Sequence, residues 1–410
     1  MDGFFSPQQK RALLYRGMGF FFPFLTLPLF VRQISAADYG SLGVALTTCG
    51  VIQAICEGGA NVGGAKRLAL ATSDVERGQI IAGIYRYKWM LLLLSLIGGM
   101  AYSLALRPTW QDASLFLACF IFVVIPDALT PSWSYYSAGA VDELTAKLFF
   151  SKVYSLVPII LLIWLVPNPY VAAFACGLPF QLLAFMARTR ASELQPYVRT
   201  EAKGVMSAGH TEGQRLVHLG SLAALTFPAV VMQSLAWSRS DNLGAAYLAI
   251  TLWIALRQLC MIPNQSVFHI AVKGDLPPEQ QWHRLRRAVI IGGTLALVAA
   301  AGVHIVGGPL LAFAFGEQYS SLSGTLVVIF ASVAIYAVAH GLVLNRLAAK
   351  GRNAEFSGSY FLALSGFFIV FWASGLQGEQ RLQISIVAAD LSLLLGAIVF
   401  ELHSQLKRTA

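Results

Sequence analysis

The sequence predicts an all-α integral membrane protein, with about twelve transmembrane helices in two six-helix lobes related by a pseudo-two-fold axis along the membrane normal. Three observations predict it: scarce charge, apolar runs that recur at near-regular spacing, and basic residues gathered on one side. Of 410 residues, 57% are hydrophobic and 12% charged, and the mean hydropathy is +0.65. Soluble chains carry about 25% charged residues. This chain cannot cover a water-facing surface, so most of its surface must meet lipid. Lipid offers backbone groups no partner, which makes helices the required spanning form.

The apolar runs fall at 12–32, 38–65, 82–106, 113–138, 144–166 and 169–189, then at 214–236, 242–271, 285–307, 321–348, 355–375 and 383–403. Each approaches or exceeds the roughly 20 residues that cross a hydrocarbon core. The run 38–65 is longer than needed and is expected to tilt or project. "MDGFFSPQQKRALLYRG" leads into the first run without a small-residue cleavage site, so the first helix is expected to be retained.

The net charge is +9. Its distribution points to membrane orientation rather than nucleic acid. Most basic residues, among them Lys10, Arg11, Lys66, Arg67, Arg86, Lys88, Arg188, Lys203, Arg286 and Arg352, fall in even-numbered turns or near the termini. Arg32, Arg107, Arg239 and Arg381 fall on the opposite side. The positive-inside rule then predicts cytoplasmic termini and a cytoplasmic middle loop. Five cysteines, at 49, 56, 119, 176 and 260, lie inside spans without metal-like spacing. They read as small packing residues.

The two halves echo one another. "LTLPLFVRQ" (25–33) ends the first span and "LTFPAVVMQ" (225–233) ends the seventh. "GAVDE" (139–143) and "GRNAE" (351–355) follow the fourth and tenth. An even number of helices per half makes the repeats parallel. The expected division is a first lobe over 1–190, a cytoplasmic linker over 191–213 and a second lobe over 214–410. Two bundles joined by one loop can rock about a midplane site, which is the design of an alternating-access transporter; a static duplicated bundle is the bland alternative. Pro23 and Pro28 in the first span, Pro228 in the seventh, Pro126 and Pro131 in the fourth and Pro263 in the eighth are expected to bend their helices or to serve as packing kinks. Gly59 and Gly63 have the spacing of a close helix contact.

Ionisable groups in lipid cost about 2.5–3.5 kcal/mol on insertion scales and should face a cavity or pair. The candidates are Glu57, Asp127, Lys152, Arg257 and Asp390, with Arg16 and Arg32 toward opposite ends of the first span. Arg257 lies near a midplane, where snorkelling cannot rescue it. It needs an acidic partner, water or an anionic ligand, and its geometry suits phosphate oxygens. Gln258, Asn264 and Gln265 read as a polar strip continuing from it. Asp127 could carry a proton or sodium, or neutralise an arginine. Glu57 and Asn61 share a face and form a polar patch. Lys152 either contacts substrate or snorkels. The expected substrate contacts are Arg16, Lys152, Arg257 and Asn61; the expected ion-coupling groups are Asp127, Glu57 and Asp390. His218, His304 and His340 read as structural histidines. Trp133, Tyr135 and Tyr136 read as an interfacial aromatic belt, with sugar stacking as the alternative.

"GGANVGGAKR" lacks the Gly-Lys-Ser/Thr of a phosphate loop. The connections on the expected outer side, such as "QISAAD" and "VPNP", are short. They show neither paired carboxylates nor a Ser/His/Asp arrangement, which argues against a membrane-bound polysaccharide-synthesis enzyme. No cofactor, metal or nucleic-acid partner is expected.

"LPLFVRQISAADYGSLGVALTTCGVIQAICEGGANVGGAKRLA" resembles the start of polysaccharide flippases of the Wzx type. The shared features are Pro28 and Arg32, Tyr39-Gly40, Glu57-Gly58 and Lys66-Arg67. The segment from Phe315-Gly316 and Tyr319 to Gly351 is similar to that family's tenth-helix region. Many relatives have Asp-Phe-Gly or Asp-Leu-Gly where this chain has Glu57-Gly58. The resemblance implies the multidrug/oligosaccharidyl-lipid/polysaccharide exporter superfamily and the bacterial inner membrane. It implies movement of an oligosaccharide on undecaprenyl pyrophosphate, an O-antigen or exopolysaccharide repeat unit, from the cytoplasmic to the periplasmic leaflet. Membrane lipid, a polysaccharide polymerase and a chain-length regulator would be partners. A multidrug or cation antiporter of the same superfamily is the nearest alternative.

Overall fold

The computed structural model describes residues 7–57, 60, 64–106, 109–138, 140–188, 212–237, 243–273, 277–348, 350, 352–376 and 378–409. The Gly59 and Gly63 pair, Asn61, Arg107, Gly139, Arg239, Gly351 and all but the last two residues of the expected linker lie outside these residues. So do the side chains of Arg16, Lys66, His218 and Gln265.

The described residues are helical throughout, without strands. Each of the twelve expected spans coincides with a helix or a broken helix. The first half comprises α1 (Pro7–Gln33), α2 (Ala36–Glu57), α3 (Ala65–Leu70), α4 (Asp74–Leu106), α5 (Trp110–Cys119), α6 (Ile125–Leu129), α7 (Ser132–Ser137), α8 (Val141–Leu165) and α9 (Pro169–Met186). The second comprises α10 (Glu212–Trp237), α11 (Leu243–Lys273), α12 (Pro278–Phe315), α13 (Leu322–Leu342), α14 (Asn353–Ala373) and α15 (Gly378–Thr409). Ten helical stretches among the described residues are long and apolar enough to cross a membrane.

Local chemistry sets the turns. The Ser35 hydroxyl accepts the Asp38 N–H at 3.1 Å and starts α2. Thr109 does the same for Asp112 at 3.1 Å at the start of α5. Asn168 accepts the N–H groups of Tyr170 and Val171, with Pro169 in the first helical position. These are side-chain caps for donors that a helix start leaves free. Gly316, at φ 110°, ends α12 in a backbone region that other residues avoid.

The fourth span is the most broken. It runs as α5, a π turn over Phe120–Val124, α6 and α7. Pro126 lacks the N–H that the Phe122 carbonyl would accept. Gly177 of α9 has no side chain, and a Cβ there would collide with that carbonyl. At Thr130–Pro131 the helix breaks, and Ser132 N–H turns to the Thr130 carbonyl at 2.9 Å. The prolines expected to bend this span therefore do so through specific lost hydrogen bonds.

The chain divides into two compact units, Met1–Thr211 with Met232–Gly244, and Glu212–Val231 with Ala245–Ala410. In the first, α8 packs on α1 and α9. In the second, α13 packs on α12 and α15, and α14 on α15. The second has a core of Ala223, Tyr336, Ala339, Val343, Leu347, Phe356, Tyr360, Ala363, Leu393 and Ala397.

Trp133 and Tyr135 are fully buried, in two separate apolar clusters. Only Tyr136 of that trio is exposed. The aromatic-belt reading is corrected for the first two: the break at Pro131 turns α7 inward, so they serve as core. All five cysteines are free, and all but Cys176 are buried.

Candidate functional site

The second unit encloses a continuous polar chain. Arg257, halfway along α11, donates from Nη2 to Asp390 Oδ1 of α15 at 3.3 Å. The arginine side chain is 11% exposed and the aspartate 1%. The guanidinium carbon lies 3.3 Å from the Tyr336 ring centroid, 4.6 Å from Trp253 and 5.4 Å from Phe227. Aromatic faces stabilise a cation that has left water. The Arg257 Nε has no hydrogen-bond partner.

From Tyr336 the chain continues to His340, whose Nδ1 is 3.3 Å from the Tyr336 hydroxyl. The same nitrogen pairs with the Tyr360 hydroxyl. His340 is thus held between two tyrosines from α13 and α14, in line with a structural histidine. Tyr336, four residues away on α13, stacks on its ring.

Asn264 does not extend a polar strip from Arg257. It is buried, and its amide donates to the Ala337 carbonyl at 2.9 Å. Asn345 donates to the Asn264 and Gly341 carbonyls at 3.4 and 3.0 Å. Asn264 thus ties α11 to α13, and Asn345, in the π turn Val343–Ala348, ties that turn back to α11.

The first unit holds a second buried cation that sequence spacing missed. The basic cluster around Arg86 places Lys88 in a turn by sequence; the structure carries it into α4. It is the fifteenth residue of α4, about four turns beyond Asp74, is 5% exposed, and donates to the Ala128 carbonyl at 3.3 Å. That carbonyl lies beside the break at Thr130–Pro131. Asp127 and Glu57 lie within electrostatic range of Lys88, and Gln53 bonds to Asp127. Two of the three expected ion-coupling groups thus act on the same buried lysine. The available signal was the apolar run 82–106, which already contains position 88.

Lys152 of α8 donates to the Gly19 carbonyl of α1 at 3.1 Å. Within the first unit its hydrogen-bond partner differs from that of Lys88, which donates to the Ala128 carbonyl. Arg16 and Asn61 have no described side chains. Among the described residues no group of three or more His, Cys, Asp or Glu could hold a metal ion.

No family model and no curated protein matches the chain. Solved structures do. An inward closed conformation of the lipid II flippase MurJ aligns with a TM-score of 0.66 and 11% identity, over 96% of this chain and 86% of that one. An inward-facing multidrug resistance MATE family transporter of the MOP superfamily aligns at 0.60 and 12%, over 98% and 96%. A eukaryotic MATE transporter aligns at 0.55 and 15%, over 96% and 95%. These likenesses run the length of the chain, at identities that speak for architecture alone: the chain is a multi-pass helical membrane protein with the fold of these flippases and transporters.

Proposed function

We propose that the protein is a flippase for an oligosaccharide carried on undecaprenyl pyrophosphate, working by alternating access from the cytoplasmic to the periplasmic leaflet. The observation that carries the reading is Arg257. A guanidinium never loses its proton in a protein, so this charge is permanent. It sits halfway along a membrane helix, with one carboxylate contact, one unused Nε donor and a remaining 11% of exposed surface. Such a group can exchange its carboxylate for a phosphate. The likeness to the lipid II flippase MurJ supports a lipid-linked substrate. Arg16, Lys152 and Asn61 are the further substrate contacts in this reading, and Asp127, Glu57 and Asp390 the ion-coupling groups. The lobes are 1–190 and 214–410, with the linker 191–213 and both termini in the cytoplasm of a bacterium, and the membrane is the inner one. A polymerase and a chain-length regulator would act on the product.

The second reading is a multidrug antiporter, which the likeness to MATE transporters favours. One experiment separates the two. Purified protein is reconstituted into liposomes holding a fluorescent oligosaccharide on undecaprenyl pyrophosphate, and a membrane-impermeant quencher reports which leaflet holds the label. The flippase reading expects exchange in the wild type and its loss in Arg257→Gln. Ethidium movement down an imposed ion gradient, with no exchange of the labelled lipid, would establish the antiporter instead.

A further inference from the structure

We propose that Asp390 is a proton-binding site opened by substrate: phosphate takes the Arg257 guanidinium, and the carboxylate it displaces takes up one proton. The proposal rests on the flippase reading of Arg257 and goes beyond it by naming the coupled ion and the group that binds it.

The argument starts from charge balance. Asp390 is 1% exposed and its Oδ1 is held by Arg257 Nη2 at 3.3 Å. The guanidinium is held by the Tyr336, Trp253 and Phe227 rings on its other sides. Those rings offer a cation an attractive face but no countercharge; among the described residues Asp390 is the carboxylate paired with it. A phosphate that binds Arg257 supplies the same countercharge and leaves Asp390 as an unpaired anion in a buried setting. Such an anion is costly, and a carboxylate in that position binds a proton instead. The step balances: one guanidinium–carboxylate contact breaks, one guanidinium–phosphate contact forms, and a proton from water joins the freed carboxylate. Release of substrate reverses it, so each substrate molecule that binds brings one proton onto the protein.

The other titratable groups nearby do not compete for this role. From α13, Tyr336 faces the guanidinium with its ring, and His340 has its Nδ1 between two hydroxyls. From α14, Tyr360 is one of those hydroxyls. On α15 itself, Glu379 bonds to Thr325 at one end, Arg381 to the Leu376 carbonyl, and Glu401 to Arg346 and Arg352 at the other. Sodium would need several oxygen ligands. The Ser332 hydroxyl donates to the Ile329 carbonyl at 2.8 Å, and its lone pairs could still serve a cation, so the test below separates sodium from a proton.

The test is titration calorimetry of the full chain in detergent, with geranylgeranyl diphosphate as probe and choline as the only added cation. Repeating it in buffers of different ionisation heat counts protons per probe bound. The wild type is expected to take up about one proton more than Asp390→Asn, and its affinity to fall by up to about tenfold per pH unit where the carboxylate is ionised. Asp390→Asn is expected to bind as tightly or more tightly, with only the probe's own pH dependence. His340→Gln is expected to keep the wild-type proton count. Equal counts in wild type and Asp390→Asn, or binding that requires added sodium, would overturn the inference while leaving the flippase reading standing. Failure of the wild type to bind the probe at all would overturn both.

Discussion

Lys152 Nζ donates to the Gly19 carbonyl at 3.1 Å, and that carbonyl is the one whose helical partner would have been the N–H of residue 23, a proline. The lysine of α8 therefore closes a gap that proline opens in α1. In water such a gap fills itself; in lipid it needs a protein donor. This gives Lys152 a reason to be in the membrane that is independent of substrate.

Replacing Lys152 by Met removes the donor and keeps the stem. The Gly19 carbonyl is then unpaired, at an expected cost of about 1–3 kcal/mol. Lys152→Gln keeps a donor within partial reach and should recover part of it. Thermal unfolding in detergent reads the difference. Equal stability of Met and wild type would show that the contact carries no weight, and would return Lys152 to the set of substrate contacts alone.

Lys88 poses the same question with charge added. It serves the Ala128 carbonyl and also lies in the field of Asp127 and Glu57. Lys88→Met should destabilise the first unit, because it leaves the Ala128 carbonyl without this donor, at a cost of about 1–3 kcal/mol, and removes a cation from the surroundings of Asp127 and Glu57. Asp127→Asn in the same chain should restore part of the loss. A double-mutant cycle is expected to give a coupling of about 0.5–3 kcal/mol. A coupling near zero would mean that Asp127 does not sense Lys88.

How far the sequence could see depended on the kind of signal. Helix number and placement were legible because twelve apolar runs each satisfy the same length rule. The break in the fourth span was legible at Pro126 and Pro131, since a missing N–H is a property of residue type. Partners were not. Arg257 announced that it needed an anion, but Asp390 is 133 positions away, and no periodicity links them. Lys88 was misread because it stands two residues from Arg86 in a basic cluster, and a positive-inside count cannot tell a loop lysine from one carried into the membrane by a long helix. Asn264 was misread for a related reason: polarity in a span reads as wetness, whereas here its buried amide bonds to the Ala337 carbonyl of a neighbouring helix.

The repeated segment contains a residue whose role only the fold reveals. Gln233 ends "LTFPAVVMQ", and its Nε2 reaches the Val44 carbonyl, Thr47 Oγ1 and Thr48 Oγ1 at 3.1, 3.2 and 2.8 Å, while Tyr102 donates to its Oε1 at 3.0 Å. Its counterpart Gln33 is exposed. The two echoed positions are thus put to different use. Gln233→Leu preserves size and removes every one of these bonds, leaving Tyr102 without this acceptor. A loss of about 1–3 kcal/mol is expected, and Tyr102→Phe in the Gln233→Leu background should cost little more. Additive losses from the two changes would mean that the pair does not act as a unit.

Glu401 of α15 gathers the other end of the second unit. Its Oε1 accepts from Arg346 Nη2 at 2.6 Å and Nε at 3.1 Å, and its Oε2 from Arg352 Nη1 at 3.2 Å. Arg352 also bonds to Glu355 at 3.3 Å and to the Phe400 carbonyl. The Glu401 carboxylate is 17% exposed and the arginines 26% and 14%. One carboxylate thus joins the π turn after α13, the start of α14 and the end of α15. The three partners are unequal. Losing Arg346 leaves Glu401 with Arg352, and losing Arg352 leaves it with Arg346, but losing Glu401 strips both arginines of this carboxylate. Glu401→Gln should therefore destabilise more than Arg346→Gln, and Glu401→Asp should fall between, since a shorter side chain reaches one arginine better than two. Because the groups are mostly buried, the ordering should persist as salt is raised, where an exposed pair would fade. Thermal unfolding of the three variants at low and high salt checks it, and a larger loss in Arg346→Gln than in Glu401→Gln would show that the carboxylate is not the hub.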